Sequence, residues 1–115
     1  MKNFCLTLLA LLQVSLDAAP REIGNPAFLS PHARPIVAHG EHVFVANTPC
    51  DTIDVLHANS GRMLRRISVG IDPVSLAVRP DGRELWVANH VSDSVSVIDL
   101  EQSKPTFMHV VATVQ

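Results

Sequence analysis

The sequence is poor in the residues that often mark a chemical function. Aromatic residues make up 4% of the 115 positions, with one tryptophan and no tyrosine. Lysine and arginine number 9 against 11 aspartates and glutamates, so no basic excess suggests nucleic acid as a partner. The length bounds the chain to one domain at most, and a hydrophobic content of 47% is enough for a buried core.

Motifs that carry catalysis or hold cofactors are missing as well. The sequence contains no glycine-rich phosphate loop, no serine nucleophile elbow and no CxxCH haem motif, so we expect no cofactor. No histidine pair stands at metal-ligand spacing with a carboxylate partner, which favours exposed loop or edge histidines over a metal site. His90, which follows Asn89 at a predicted strand end, is a weak candidate for contacting a ligand. The six histidines are His32, His39, His42, His57, His90 and His109.

The N-terminus has the layout of a secretory signal peptide. Lys2 supplies a positive charge, residues 4–16 form an apolar stretch, and small residues follow it. The stretch is shorter than the roughly 20 residues that a membrane span needs, so no transmembrane span is predicted. We predict a signal peptide over residues 1–19, a linker over residues 20–29 and export to the periplasm or the exterior. An uncleaved anchor and a misassigned start are the alternatives.

Removal of such a peptide leaves Cys50 as the only cysteine, and no internal disulfide is then possible. The neighbours of Cys50 include no histidine or cysteine at ligand spacing. Cys50 is therefore interpreted as a loop residue.

The chain repeats itself with a period of 42 residues. Residues 40–57 align without a gap on residues 82–99, and six positions are identical. A period of 40–45 residues is typical of the four-stranded blades of a β-propeller. The identical pairs are Gly40/Gly82, Val45/Val87, Ala46/Ala88, Asn47/Asn89, Asp51/Asp93 and Val55/Val97.

Both copies alternate small polar with apolar residues, the period of a strand with one buried face. The sequence therefore predicts an all-β fold with two four-stranded antiparallel sheets, helical only in the signal peptide. Phe44 and Trp86 hold equivalent places, and we expect both to pack between neighbouring sheets, where replacing a buried Trp86 by alanine costs about 3–5 kcal/mol. The predicted strands are 34–38, 42–47, 52–57, 63–68, 74–79, 84–89, 94–99 and 108–114.

The recurring polar residues have two interpretations. Asp51 and Asp93 are either loop carboxylates that bind a cation or ligand, or turn residues that cap backbone amides between the second and third strands. Recurrence at one period favours the turn, and the same holds for Asn47 and Asn89. Gly40 and Gly82 are predicted hairpin turns, since glycine tolerates a positive φ.

Three arginines stand close together, one just before the fourth predicted strand and two within it. Arg62, Arg65 and Arg66 form a basic group in a segment expected to face solvent. A solvated face is favoured over a phosphate site.

Residues 71–99 resemble the YVTN-type β-propeller repeat, with Pro-Asp-Gly before an aromatic strand and Val87-Ala88-Asn89 where the repeat has Val-Thr-Asn. The first copy departs from the pattern, because Ala-His-Gly replaces Pro-Asp-Gly and His57 replaces the closing aspartate. The resemblance implies blades over residues 30–69 and 70–115, in a propeller that usually has about seven. Two blades leave open edges, so we expect either part of a longer propeller or self-association through those edges.

Function follows less directly, because propellers host many unrelated activities. The first hypothesis is a non-catalytic binding or scaffolding module with an unknown ligand or protein partner. The resemblance also implies an alternative, part of a lactonase-like enzyme or of a periplasmic quinone- or haem-dependent oxidoreductase. A self-associating surface or envelope protein is the third hypothesis.

Overall fold

The computed structural model describes residues 31–115, which form eight strands and one short 3-10 turn at Thr48–Cys50. The predicted signal peptide lies outside the described residues. No helix among the described residues is long and apolar enough to cross a membrane. The strands are β1 Ile36–His39, β2 His42–Asn47, β3 Thr52–His57, β4 Met63–Ser68, β5 Pro73–Val78, β6 Glu84–Asn89, β7 Ser94–Asp99 and β8 Val110–Val114.

The strands form two antiparallel sheets of four, which confirms the predicted fold class. The first sheet has the order β1-β2-β3-β4 and the second the order β5-β6-β7-β8. The register repeats with the sequence: Phe44 pairs with Val55 in the first sheet, and Trp86 pairs with Val97 in the second. Each third strand also has a register shift at the equivalent place, after Val55 and after Val97. The 42-residue period is therefore a structural period too.

Three predicted strands differ from the observed ones at their ends. Strand β5 begins at Pro73, which has no backbone N–H to give to a ladder and is tolerated at the first position of a strand. Strand β8 begins later than predicted, because Met108 has a positive φ of 58° and its N–H donates to the Asp99 carbonyl. Strand β1 begins at Ile36, since the backbone of residues 33–34 bonds to strand β5 instead.

The hydrophobic core lies between the two sheets. Leu76 N–H donates to the Arg34 carbonyl at 2.9 Å, and Arg34 forms a parallel bridge with Ser75, so backbone bonds join the inner strands. The buried apolar residues come from facing sides of both sheets, which explains why neither sheet buries its apolar side alone. They are Phe44, Ile53, Val55 and Ile67 from the first sheet, and Leu76, Leu85, Val87, Ile98, Leu100 and Met108 from the second sheet and the loop before β8.

Trp86 does not pack between two sheets in the described residues. Phe44 is 1% exposed, whereas Trp86 is 49% exposed. The second sheet covers the face that carries Phe44, and no sheet among residues 31–115 covers the face that carries Trp86. Its indole N–H donates to Glu84 Oε2 at 2.9 Å along the same strand. The prediction of a buried Trp86 is therefore wrong for this part of the chain, because burial needs a third sheet.

Candidate functional site

Three loops meet at one end of the two sheets. They are the β2–β3 turn at residues 48–51, the β4–β5 connection at residues 69–72 and the β6–β7 turn at residues 90–93. Polar side chains of these loops, together with His32 before β1, contact one another or the backbone of a neighbouring loop, and we call this group the loop-end cluster. It consists of His32, Thr48, Asp51, Asp72 and His90.

Asp51 ties the first sheet to the connection that leads into the second. It has a left-handed backbone with φ of 56°, which aspartate tolerates better than most residues. Its Oδ1 accepts the Asp72 N–H at 2.9 Å, and its carbonyl accepts the Val69 N–H at 3.0 Å. The structure thus places Asp51 as a cap of a backbone amide, although the amide belongs to the connection between sheets and not to its own turn.

Asp93 holds the equivalent place in the second sheet. It has the same left-handed backbone, with φ of 46°, and its N–H donates to the His90 carbonyl at 3.4 Å. Unlike Asp51, Asp93 is exposed. No connection corresponding to the one that Asp51 caps lies beside it within residues 31–115.

His90 stands next to Asp72 at the exposed side of the cluster. The His90 N–H donates to the Asp72 carbonyl at 2.9 Å, while His90 Nδ1 lies 3.8 Å from Asp72 Oδ2. The His90 side chain is 60% exposed, so it can reach a ligand in solvent. In the described part of the chain, no group of three or more histidine, cysteine, aspartate or glutamate side chains is arranged to hold a metal ion.

Thr48 links the cluster to strand β5. Its hydroxyl donates to the Pro73 carbonyl at 2.7 Å, and His32 Nε2 lies 2.9 Å from the Thr48 hydroxyl oxygen. Because the hydroxyl has one proton and gives it to Pro73, His32 Nε2 is the donor in the second bond. The bond therefore selects the tautomer of His32 with a proton on Nε2.

Asn89 and Gly70 form a close contact under the cluster. Asn89 is 2% exposed, and its Nδ2 donates to Ser94 Oγ at 3.2 Å and to Ser96 Oγ at 3.0 Å. A Cβ at Gly70 would lie 2.5 Å from Ser92 Oγ and 2.6 Å from Asn89 Nδ2. A side chain at position 70 would therefore force Ser92 or Asn89 to move, which favours glycine there. This glycine was not predicted as a site residue, and its place three residues before Pro73 was the available signal.

Asn47 makes a related bond in the first sheet, to a charged partner. Its Nδ2 donates to Asp54 Oδ2 at 3.2 Å, and Arg66 donates to both carboxylate oxygens of Asp54, at 2.7 and 3.0 Å. The Arg66 hydrogen bond, with help from Asn47, lowers the pKa of Asp54 below its ordinary value despite its partial burial. Arg65 Nη2 donates to His109 Nε2 at 2.8 Å, so two arginines of the basic group have protein partners.

The opposite end of the sheets holds the turns that follow the third strands. Asp99 Oδ2 accepts the Thr106 hydroxyl at 2.6 Å and Asp99 Oδ1 accepts the Glu101 N–H at 2.9 Å, which together lower the pKa of Asp99. His57 occupies the equivalent position, and its Nδ1 lies 3.3 Å from the Ser60 N–H nitrogen. The histidine of the divergent first copy thus replaces the aspartate as a turn cap. Cys50 is exposed in the 3-10 turn.

No protein-family model matches the chain, and no curated protein matches it either. Among solved structures, the chain is similar to one titled "Kuenenia stuttgartiensis Hydrazine Synthase", with a TM-score of 0.62 and 24% sequence identity. The match covers 78% of this chain and 26% of the solved chain, so this chain spans about a quarter of the length of the protein it matches. At this identity the likeness concerns the fold alone.

Proposed function

We propose that the chain is a pair of β-propeller blades of the YVTN type, and that it serves as a non-catalytic binding or scaffolding module within a larger, exported propeller. The likeness of the two sheets to the matched structure supports the blade architecture.

The uncovered face of the second sheet carries the proposal. Trp86, Ala88 and Val95, which we call the open face, stand 42 residues after Phe44, Ala46 and Ile53. Trp86 is 49% exposed, whereas Val97 beside it is buried at 8%. The earlier three lie against the second sheet in the core or at its border. By the same repeat, the open face fits a further four-stranded sheet with an apolar side.

The loops support the same interpretation. Asp51 uses its carboxylate to hold the backbone of the connection into the second sheet. Asp93 presents an exposed carboxylate with the same backbone conformation. A following blade would supply an amide to Asp93 as Asp72 does to Asp51.

A binding role is favoured by the exposed imidazole of His90 at the loop end, where ligand contacts on a rigid scaffold are common. The hypothesis of a propeller enzyme stays open, and the name of the matched structure does not bring its reaction to this chain. Export remains a prediction from residues 1–19, and N-terminal sequencing of the mature protein tests it.

The single tryptophan makes the proposal measurable. Trp86 is the only indole among these 115 residues, and oxidative labelling read by mass spectrometry on the peptide that carries it reports on the open face alone. We expect strong oxidation of Trp86 in the recombinant chain and weak oxidation in the native protein purified from its source, since a further blade would shield the indole. Equal oxidation in both preparations would contradict a covering blade. The intact mass of the native protein then shows whether that blade belongs to the same polypeptide.

A further inference from the structure

The turns that follow β2 and β6 have the same backbone hydrogen bond. Asp51 N–H donates to the Thr48 carbonyl at 3.3 Å in the first sheet. Asp93 N–H donates to the His90 carbonyl at 3.4 Å at the same place in the second sheet, 42 residues later. The two aspartates also share a left-handed backbone. His90 is therefore the equivalent of Thr48, as Asp93 is the equivalent of Asp51.

The turn of the first sheet holds the backbone of a proline-led strand. The Thr48 hydroxyl donates to the Pro73 carbonyl at 2.7 Å, and Asp51 Oδ1 accepts the Asp72 N–H at 2.9 Å. One side chain supplies a donor and the other an acceptor, and both partners are backbone groups of two consecutive residues. The turn thus recognises the backbone of an Asp-Pro segment.

The turn of the second sheet offers the same pair of groups. The His90 imidazole has an N–H that can donate to a carbonyl as the Thr48 hydroxyl does. The Asp93 carboxylate can accept a backbone N–H as that of Asp51 does. Both side chains are exposed. A second Asp-Pro segment would therefore find a donor and an acceptor in the same order.

A groove of about 430 Å³ lies beside this turn. His90, Asp93 and Val95 of the open face are among the residues that line it, and so is Asn89. Asn89 is 2% exposed, and its Oδ1 has no hydrogen-bond partner in the part of the chain that the structure describes. A buried acceptor without a donor is unfavourable, so the groove favours a ligand that brings N–H groups. A peptide backbone has this chemistry.

We propose that His90 and Asp93 form a peptide-binding site for an Asp-Pro segment like the one that begins β5. Asp93 accepts the N–H of the residue before proline, and His90 donates to the proline carbonyl. The inference rests on the proposed blade architecture, because a following blade would carry such a segment. It adds that the site recognises the segment by backbone groups, so an isolated peptide also binds.

The test is an NMR titration of the isotope-labelled recombinant chain with a synthetic peptide that copies residues 69–78, VGIDPVSLAV. We expect saturable shifts of the backbone amides of residues 89–95. The control peptide VGIPDVSLAV exchanges the aspartate and the proline. It should bind about fivefold more weakly or less, because proline in the first of the two places has no N–H to give to Asp93.

Matched substitutions separate the two contacts. Asp93→Ala and His90→Val should each weaken peptide binding by about fivefold, the loss expected for one hydrogen bond. His90→Thr places the residue of the first sheet in the second, and Asp93→Asn keeps a side-chain oxygen as acceptor. Both of these variants should retain binding. Circular dichroism of all four variants shows whether the fold is kept.

Three results would overturn the proposal. They are a titration without saturable shifts, shifts confined to residues 48–51 or to strand β8, and unchanged binding in both Asp93→Ala and His90→Val. Absence of peptide binding, with Trp86 shielded from oxidation in the native protein, would reject this site and leave the covering blade in place. Peptide binding with equal oxidation of Trp86 in both preparations would reject the covering blade and keep the site.

Discussion

Phe44 and Trp86 stand at the same place in two copies of one repeat, yet their surroundings differ. Phe44 is in the core against the second sheet, and Trp86 is half exposed on the open face. Their strands, partners and register are equivalent. The local pattern thus specifies a sheet with an apolar side, while the neighbouring sheet alone decides whether that side becomes core.

The two loop aspartates at the end of the sheets also have equivalent places in the repeat and different surroundings. Asp51 and Asp93 share a left-handed backbone, but only Asp51 is observed holding an amide of the next connection. In each of these two pairs, the first residue contacts a neighbouring sheet or its connection, and the second has no such neighbour within residues 31–115. Substitutions at both members separate what a residue does within its sheet from what it does between sheets.

The largest effect is expected from truncating the two aromatic residues. Phe44→Ala should lower the free energy of unfolding by about 3–5 kcal/mol, because it leaves a cavity between the sheets. Trp86→Ala should cost about 1 kcal/mol or less in the recombinant chain, since the indole is half exposed. Urea denaturation of both variants measures the difference. Equal costs would mean that the open face is covered in solution.

Gly70→Ala should come next, with a loss of about 1–3 kcal/mol from overpacking. The new methyl group would lie 2.6 Å from Nδ2 of the buried Asn89. The triple variant Gly70→Ala/Asn89→Ala/Ser92→Ala is the control, because it removes both the Ser92 hydroxyl and the Asn89 amide that the methyl group would meet. Thermal denaturation should show the triple variant to be more stable than the sum of the losses of Gly70→Ala and Asn89→Ala/Ser92→Ala predicts. Additive losses would contradict the contact.

A smaller effect is expected at the loop aspartates. Asp51→Ala removes the acceptor of the Asp72 N–H and should cost about 1 kcal/mol more than Asp93→Ala. Both substitutions carry the same penalty for alanine in a left-handed backbone, so their difference isolates the bond between sheets. Chemical denaturation of the two variants side by side gives this difference. A greater loss for Asp93→Ala would reverse the assignment.

The smallest effect concerns the ion pair of the first sheet, where the second sheet has Ser96 in place of Asp54. Asp54→Ser should cost about 1 kcal/mol or less at pH 7, because Arg66 is half exposed and its charge is screened. The folded pKa of Asp54 lies below the ordinary 3.8, so the stabilisation is present above that value and disappears as the pH falls below it. Urea midpoints between pH 7 and pH 2 should therefore converge for the variant and the wild type. A constant difference at all pH values would show that the charge is not the cause.

Sequence reasoning located most strands and few of the contacts. Strands β2, β3, β4, β6 and β7 have the predicted bounds, because alternation and turn residues act over a few neighbouring positions. The bond from Asp51 to Asp72 spans 21 residues and the contact of Gly70 with Asn89 spans 19, and no local pattern encodes such distances. The exposure of Trp86 was mispredicted for the same reason.

The amino-acid sequence was sufficient to predict the two copies, the alternation that makes each a four-stranded antiparallel sheet, and the turns at Gly40 and Gly82. These features depend on backbone conformation and on side chains that share a face, which are properties of short segments. The packing of the two sheets determines which apolar face is buried and which aspartate caps an amide of the next connection. Burial and bonding between sheets depend on what stands opposite, and that is set by the packing of one sheet on another.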